Sequence, residues 1–246
     1  MEIREFDEHV KMSFMAAGHI QRLAEESVAE RGCFTIALSG GNSPVQIYDR
    51  LGDPPFRDRM PWERTFIFWG DDRYIPHEDR ESNYRIAVEA MLSKVRIPAG
   101  NIYRIPTEVR PIEAAAELYE KIMRKVFIAV GSVDSEKKLP VFDLVILGVG
   151  KDGHTASLFP GHKAVNEREK WVTYVKAHAR MTLRERITIT LPVINAARNV
   201  MFIIAGDGKG EMIRDILSGG KAGRLYPASM IKKDGKTVWY IDKGIY

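Results

Sequence analysis

Phe142-Asp143-Leu144-Val145-Ile146-Leu147-Gly148-Val149-Gly150-Lys151-Asp152-Gly153-His154-Thr155-Ala156-Ser157-Leu158-Phe159-Pro160-Gly161-His162 is the stretch that decides the fold of this chain. Its opening run is apolar, with no polar residue alternating after Asp143. Both faces of such a strand are buried, as in the centre of a parallel sheet. Gly148 and Gly150 break the strand, and a charged pair and a histidine follow at its carboxyl end. That is the place where open α/β sheets bind their ligands. Thr155 to Phe159 reads as a short helical turn, stopped by Pro160-Gly161.

The same unit recurs on either side of this stretch. Phe34–Leu38 is apolar and runs into Ser39-Gly40-Gly41-Asn42-Ser43-Pro44, with Ser43 read as the N-cap and Pro44 as the first residue of a helix ending near Leu51. Thr65–Trp69 ends in Gly70-Asp71-Asp72-Arg73, and Ser82-Asn83 caps a helix that runs to about Leu92. Asn199–Ala205 breaks at Gly206-Asp207-Gly208-Lys209-Gly210 before a helix from Glu211 to Leu217.

Apolar positions at helical spacing predict an amphipathic helix over 8–30, with Val10, Phe14, Ala17, Ile20, Leu23, Ala24 and Val28 inward. A second is predicted over 111–130, with Ala114, Ala115, Leu118, Ile122 and Val126 inward. Further strands are expected at Ile102–Ile105, Trp171–Val175 and Arg186–Leu191, the last half-covered because it alternates, and a short helix at Pro192–Ala197. Lys236–Ile241 reads as an edge strand after a Lys233-Asp234-Gly235 turn. The expected class is α/β: a doubly wound, mostly parallel, modified Rossmann-like sheet with helices on both faces and an antiparallel edge. One domain is expected to span residues 1–246.

Composition narrows the function. The net charge of +4 could signal nucleic acid, but basic and acidic residues are interleaved, and the densest cluster, Lys232, Lys233 and Lys236, reads as a solvated hairpin turn. No apolar run approaches the ~18 residues of a membrane span, and the first residues have no apolar signal region. Cys33 is the only cysteine, which excludes an internal disulfide and fits a reducing cytoplasm, and it reads as a buried small side chain. His77 belongs to a charged, solvated loop. With no HExxH pair, cysteine cluster or close His-x-His, no metal is expected.

Four buried strands thus end in turns that offer Gly40-Gly41, Asp71 with Arg73, Asp152 with His154, and Lys209. A doubly wound sheet opens such turns on one edge. Glycine amides at a helix amino end make an anion cradle, and Arg73 is the fork for a phosphate or carboxylate. A small phosphorylated substrate and base-assisted chemistry suit this set. Neither glycine turn matches a dinucleotide fingerprint, so no bound dinucleotide is expected.

These residues resemble the 6-phosphogluconolactonase family. The resemblance rests on Ser39-Gly40-Gly41 with Pro44, on Asp71-Asp72-Arg73 with Pro76 and Ser82-Asn83, and above all on the run from Gly148 to Gly161. It continues through Arg186-Ile187-Thr188, Gly206 with Lys209, and Pro227-Ala228-Ser229 ahead of Trp239. Ser43 stands where the family usually has Thr, and Asp72 where it usually has Glu, which leaves the role of the middle carboxylate open.

The resemblance implies a hydrolase without cofactor or metal that opens 6-phospho-D-glucono-1,5-lactone to 6-phosphogluconate. His154 would be its base and Asp152 the orienting group. Arg73, Lys209 and the Gly40-Gly41 loop would hold the phosphate, with Arg186, Ser39, Asp71 and Asn83 completing the substrate site. A monomer or small homo-oligomer, free of nucleic acid and membrane, is expected. Two alternatives stay open. A glucosamine-6-phosphate deaminase-like aldose–ketose isomerase shares the first glycine turn and the Asp-Gly-His, but continues with Asn-Glu-Pro where this chain has Ser157-Leu158-Phe159-Pro160. A non-catalytic sugar-phosphate sensor would need a DNA-reading module, for which the N-terminal segment leaves room for one helix only.

Overall fold

The computed structural model describes residues 1–176, 185–220, 223–231 and 237–246. The first half of the chain runs β1 (Glu2–Phe6), α1 (His9–Arg31), β2 (Phe34–Leu38), α2 (Asn42–Gly52), α3 (Phe56–Arg59), β3 (Thr65–Trp69), β4 (Asp71–Arg73) and α4 (Asn83–Ala87). Then follow β5 (Ile102–Tyr103), α5 (Ile112–Ala129), β6 (Leu144–Leu147), β7 (Val172–Lys176) and β8 (Glu185–Ile189). The chain ends with α6 (Leu191–Ala196), β9 (Val200–Ile204), α7 (Gly210–Ser218) and β10 (Thr237–Asp242).

The strand that organises the sequence is also the centre of the sheet. All four side chains of β6 are buried, and β6 lies fourth in the seven-stranded order β1-β10-β9-β6-β2-β3-β5. Every pairing in that sheet is parallel. From β2 the chain winds outward through β3 to β5, and from β6 it winds the other way through β9 to β10. The reversal falls between β2 and β6, so the loops after these strands diverge and leave a crevice at their carboxyl ends.

The antiparallel component is a separate three-stranded sheet, β4-β8-β7, which takes the alternating segment read as half-covered. Contrary to the sequence reading, β10 is no edge strand. It is paired on both sides, and the edge belongs to β1, which adds to it in parallel. Charges at Glu2, Arg4 and Glu5 hide β1 from an apolar-run reading, since main-chain hydrogen bonds hold it. The predicted lysine hairpin at 232–236 lies outside the described residues.

Two helices keep part of their predicted faces, with Ala17, Ile20, Leu23 and Ala24 of α1 and Ala115 and Val126 of α5 buried as expected, and depart from the rest. In α1, Val10 and Phe14 are 54% and 48% exposed, while Met12, Ala16, Ala17, Ile20, Leu23 and Ala24 face the core. Alanines let the helix come close to the sheet, which an apolar count does not register. In α5, Leu118 is exposed and Tyr119 is buried instead.

That tyrosine has a counterpart. The Tyr119 hydroxyl donates to Trp69 O at 3.0 Å and accepts from Trp69 N at 2.9 Å. Tyr48, on α2, donates to Ser39 O at 2.6 Å and accepts from Ser39 N at 3.0 Å. Each phenol therefore satisfies both backbone groups at the carboxyl end of β3 or the turn after β2, where no neighbouring strand continues the ladder. The two adjacent strand ends facing the crevice are pinned from below.

The opposite end of the sheet has its own clamp. Asp143, 1% exposed, accepts from Thr35 N at 2.8 Å and Thr35 Oγ1 at 2.9 Å, and pairs with Arg31 at 3.0 Å and Arg198 at 3.2 Å. It ties β2, β6 and the approach to β9 together.

Candidate active site

The loops after β2, β3, β6 and β9 enclose an open cleft of about 170 Å³ at the crevice. Ser39, Gly40, Gly41, Asp71, Arg73, Asn83, His154, Arg186 and Lys209, all singled out from the sequence, line it. Asp152 stands behind His154 and does not line the cleft.

His154 owes its place to the turn before it. Gly150 N donates to His154 O at 2.9 Å, and a β-carbon on Gly150 would overlap the imidazole ring. Asp152 Oδ1 lies 2.5 Å from His154 Nδ1 and accepts from His154 N at 3.2 Å. Burial alone would raise the Asp152 pKa, but the hydrogen bond and charge of His154 outweigh it and keep the carboxyl below its usual range. With a carboxylate on Nδ1, the neutral ring carries its proton there and leaves the Nε2 lone pair open. The Phe159 ring, 6% exposed, lies 4.6 Å from the imidazole and gives the ring an apolar backing.

Thr155 to Phe159 is not a helical turn. Leu158 N returns to Thr155 O at 2.9 Å, and Ala156 takes a left-handed backbone at φ +48°. A non-glycine residue there costs on the order of 1–2 kcal/mol. The reversal buries Ser157, whose hydroxyl donates to Asp71 Oδ2 at 2.5 Å and links the His154 loop to the neighbouring strand end.

Across the cleft, β4 and β8 set Arg73 and Arg186 in register on adjacent strands. Like charges directly opposite are unfavourable in a sheet. Burial, opposed by Asp71 and reinforced by Arg73, lowers the Arg186 pKa. Arg73 donates through Nη1 to Glu81 O at 2.6 Å and Asn83 Oδ1 at 2.8 Å, and its buried Nε has no partner among the described residues. Two guanidiniums held together in this way make a ready anion site. Asn83 also donates to Asp71 O at 2.8 Å, and a β-carbon on Gly40 would overlap its amide. Gly40 is glycine because the Asn83 side chain occupies that space.

Lys209 supplies positive charge from another side, folded back so that Nζ donates to Ala205 O at 3.0 Å. Burial, and then the nearby charge of Lys151, lower its pKa. The N-cap of α2 is Gly41, at φ +85°, and no side chain caps the helix. Ser43, expected as the cap, instead lines the cleft within the first turn with Asn42. Leaving the helix end uncapped suits an anion, whose charge the partial positive charge there favours.

Asn42, Ser43, Gly148, Val149, Gly150 and Ala156 also line the cleft and were not named from the sequence. Ser43 was read as the N-cap and the glycines as a strand break, while Ala156 carries no sequence signal for its backbone. Asp72 is 2% exposed and outside the cleft. Burial pushes its carboxyl up to about 6, against donation from Asn83, Tyr84 and Arg73 N–H groups. Among the described residues no group of three or more His, Cys, Asp and Glu side chains could hold a metal ion. Among them, too, no helix is long and apolar enough to cross a membrane.

Residues 7–239 match a family model described as glucosamine-6-phosphate isomerases/6-phosphogluconolactonase. The chain is 40% identical over 222 residues to 6-phosphogluconolactonase 3, chloroplastic, of Arabidopsis thaliana, covering 90% of this chain and 67% of the relative. Among solved structures it superposes on a 6-phosphogluconolactonase from Thermotoga maritima with a TM-score of 0.80 at 29% identity, covering 98% of both chains. On the enzyme from Leishmania guyanensis the TM-score is 0.85 at 25% identity, covering 99% of this chain and 96% of that one.

Proposed function

This chain belongs to the family of glucosamine-6-phosphate isomerases and 6-phosphogluconolactonases, and from that membership and the geometry of the cleft we infer that it is a 6-phosphogluconolactonase. It hydrolyses 6-phospho-D-glucono-1,5-lactone to 6-phosphogluconate, the second step of the oxidative pentose phosphate pathway. One observation carries the reading. An imidazole braced by a carboxylate shares a single cleft with Arg73, Arg186 and Lys209.

In the mechanism we propose, Arg73, Lys209 and the Gly40-Gly41 turn hold the phosphate, with Arg186 beside Arg73. Ser39, Asp71 and Asn83 contact or frame the sugar. His154 Nε2 takes a proton from water as its oxygen bonds to the lactone carbonyl carbon. The tetrahedral oxyanion then collapses, the bond from that carbon to the ring oxygen breaks, and the imidazolium returns the proton to the departing oxygen. Asp152 holds the ring in place through Nδ1. The product acid ionises at neutral pH and releases one proton per turnover.

That proton gives the test. Fresh phosphogluconolactone should consume base at a rate proportional to enzyme, above spontaneous opening, while glucosamine 6-phosphate releases no ammonia. Ammonia release without lactone-dependent base uptake would assign the isomerase reaction instead. Arg73→Ala and Lys209→Ala should each raise KM at least ~10-fold with kcat changed far less, since they remove binding shared by ground and transition states. Wild-type KM in both would move the phosphate elsewhere. We place the enzyme, as one domain spanning 1–246, in a reducing cytoplasm, which the single buried Cys33 supports. We expect a monomer or small homo-oligomer.

A further inference from the structure

We propose that Asp72, which does not touch the substrate, is the positioning residue of the phosphate end of the cleft, acting through Arg73 and Asn83. The inference rests on the reading of Arg73 as a phosphate ligand.

Asp72 is 2% exposed and does not line the cleft, yet both of its oxygens are in use. Oδ1 accepts from Arg73 N at 2.8 Å and Asn83 N at 2.7 Å. Oδ2 accepts from Ser82 Oγ at 3.1 Å and Tyr84 N at 3.2 Å. The donors come from two elements, β4 and the start of α4, joined by a loop at 74–82 whose tip is exposed from Glu78 to Glu81. One carboxylate therefore closes that loop at its base.

The residues it joins are those that face the cleft. Asn83, held by its backbone, passes its side chain between Arg73 and the Asp71 carbonyl and lies against Gly40. Arg73 takes its aim from Asn83 Oδ1 and Glu81 O, both on the far side of the loop. Without Asp72, Asn83 keeps its side-chain bond to Asp71 O but its backbone loses its tie to β4, so both acceptors shift and the guanidinium loses its direction while keeping its charge. A displacement of about 1 Å in such a group is enough to weaken productive binding.

Asp72→Asn keeps the size of the side chain but turns an amide NH₂ towards N–H or hydroxyl donors. Its expected effect is a KM for phosphogluconolactone raised at least ~10-fold, with kcat within about threefold. In a double-mutant cycle, Asp72→Asn with Arg73→Ala should raise KM by far less than the product of the two single effects, because both act largely on one interaction. An unchanged KM in Asp72→Asn, or effects that multiply in the double variant, would overturn the proposal. Should Arg73→Ala itself leave KM unaltered, the phosphate reading falls and this proposal with it, which separates the two failures. Ser82→Ala withdraws one donor and leaves the buried carboxylate in place, so it carries the test if Asp72→Asn does not fold. It should raise KM about two- to threefold and couple to Arg73→Ala in the same way. An unchanged KM or additive behaviour there counts against the proposal equally.

Discussion

Replacing His154 with alanine is expected to lower kcat by about 10²–10⁴-fold while KM stays within about threefold, the range contributed by a placed general base. The side chain is 20% exposed and backed by Phe159 and Asp152, so its loss leaves a small space at the cleft wall and does not open the core. The variant should melt like the wild type. Spontaneous opening of the lactone sets a floor and must be subtracted. Asp152→Asn removes the charge and keeps the shape, and should lower kcat less than His154→Ala does. Near-normal turnover in His154→Ala would take the histidine out of the chemistry.

Asp143→Ala should produce the largest loss of stability, about 3 kcal/mol, without touching the cleft. The ion pairs contribute the smaller part: Arg31 and Arg198 side chains are 29% and 35% exposed, so water takes over much of their solvation. The larger part is the stranded Thr35 amide and hydroxyl, both buried, at about 1–3 kcal/mol for unmet polar groups. Urea unfolding should therefore show a lower midpoint at unchanged slope, while Arg31→Gln costs no more than ~1 kcal/mol. A midpoint for Asp143→Ala equal to that of Arg31→Gln would mean that the backbone contacts contribute nothing. Residual activity per folded molecule should stay near wild type, since Asp143 is at the amino end of β6 and His154 beyond its carboxyl end.

What the chain spells out by itself is its set of buried parallel strands and the glycine turns that end them. A strand buried on both faces must be apolar throughout, and a turn that lets backbone approach a ligand must lack side chains, so β2, β3, β6 and β9 and their loops are visible residue by residue. The phosphogluconolactonase reading was legible for the same reason, since His154 and Lys209 stand at those turns and Arg73 lies just past one, on β4. Other features depended on partners far along the chain. Strand β1 exists because β10 offers it a free edge, and the faces of α1 and α5 follow from how closely alanines and Tyr119 approach the sheet. Ala156 takes a left-handed backbone within a reversal that carries Ser157 to Asp71, a partner far back along the chain. Asp72 looked like a second acid beside an arginine until Asn83 and Tyr84 came to rest on it. Local pattern records what each segment must bury, whereas which donors meet which acceptors is decided only when distant segments close on one another.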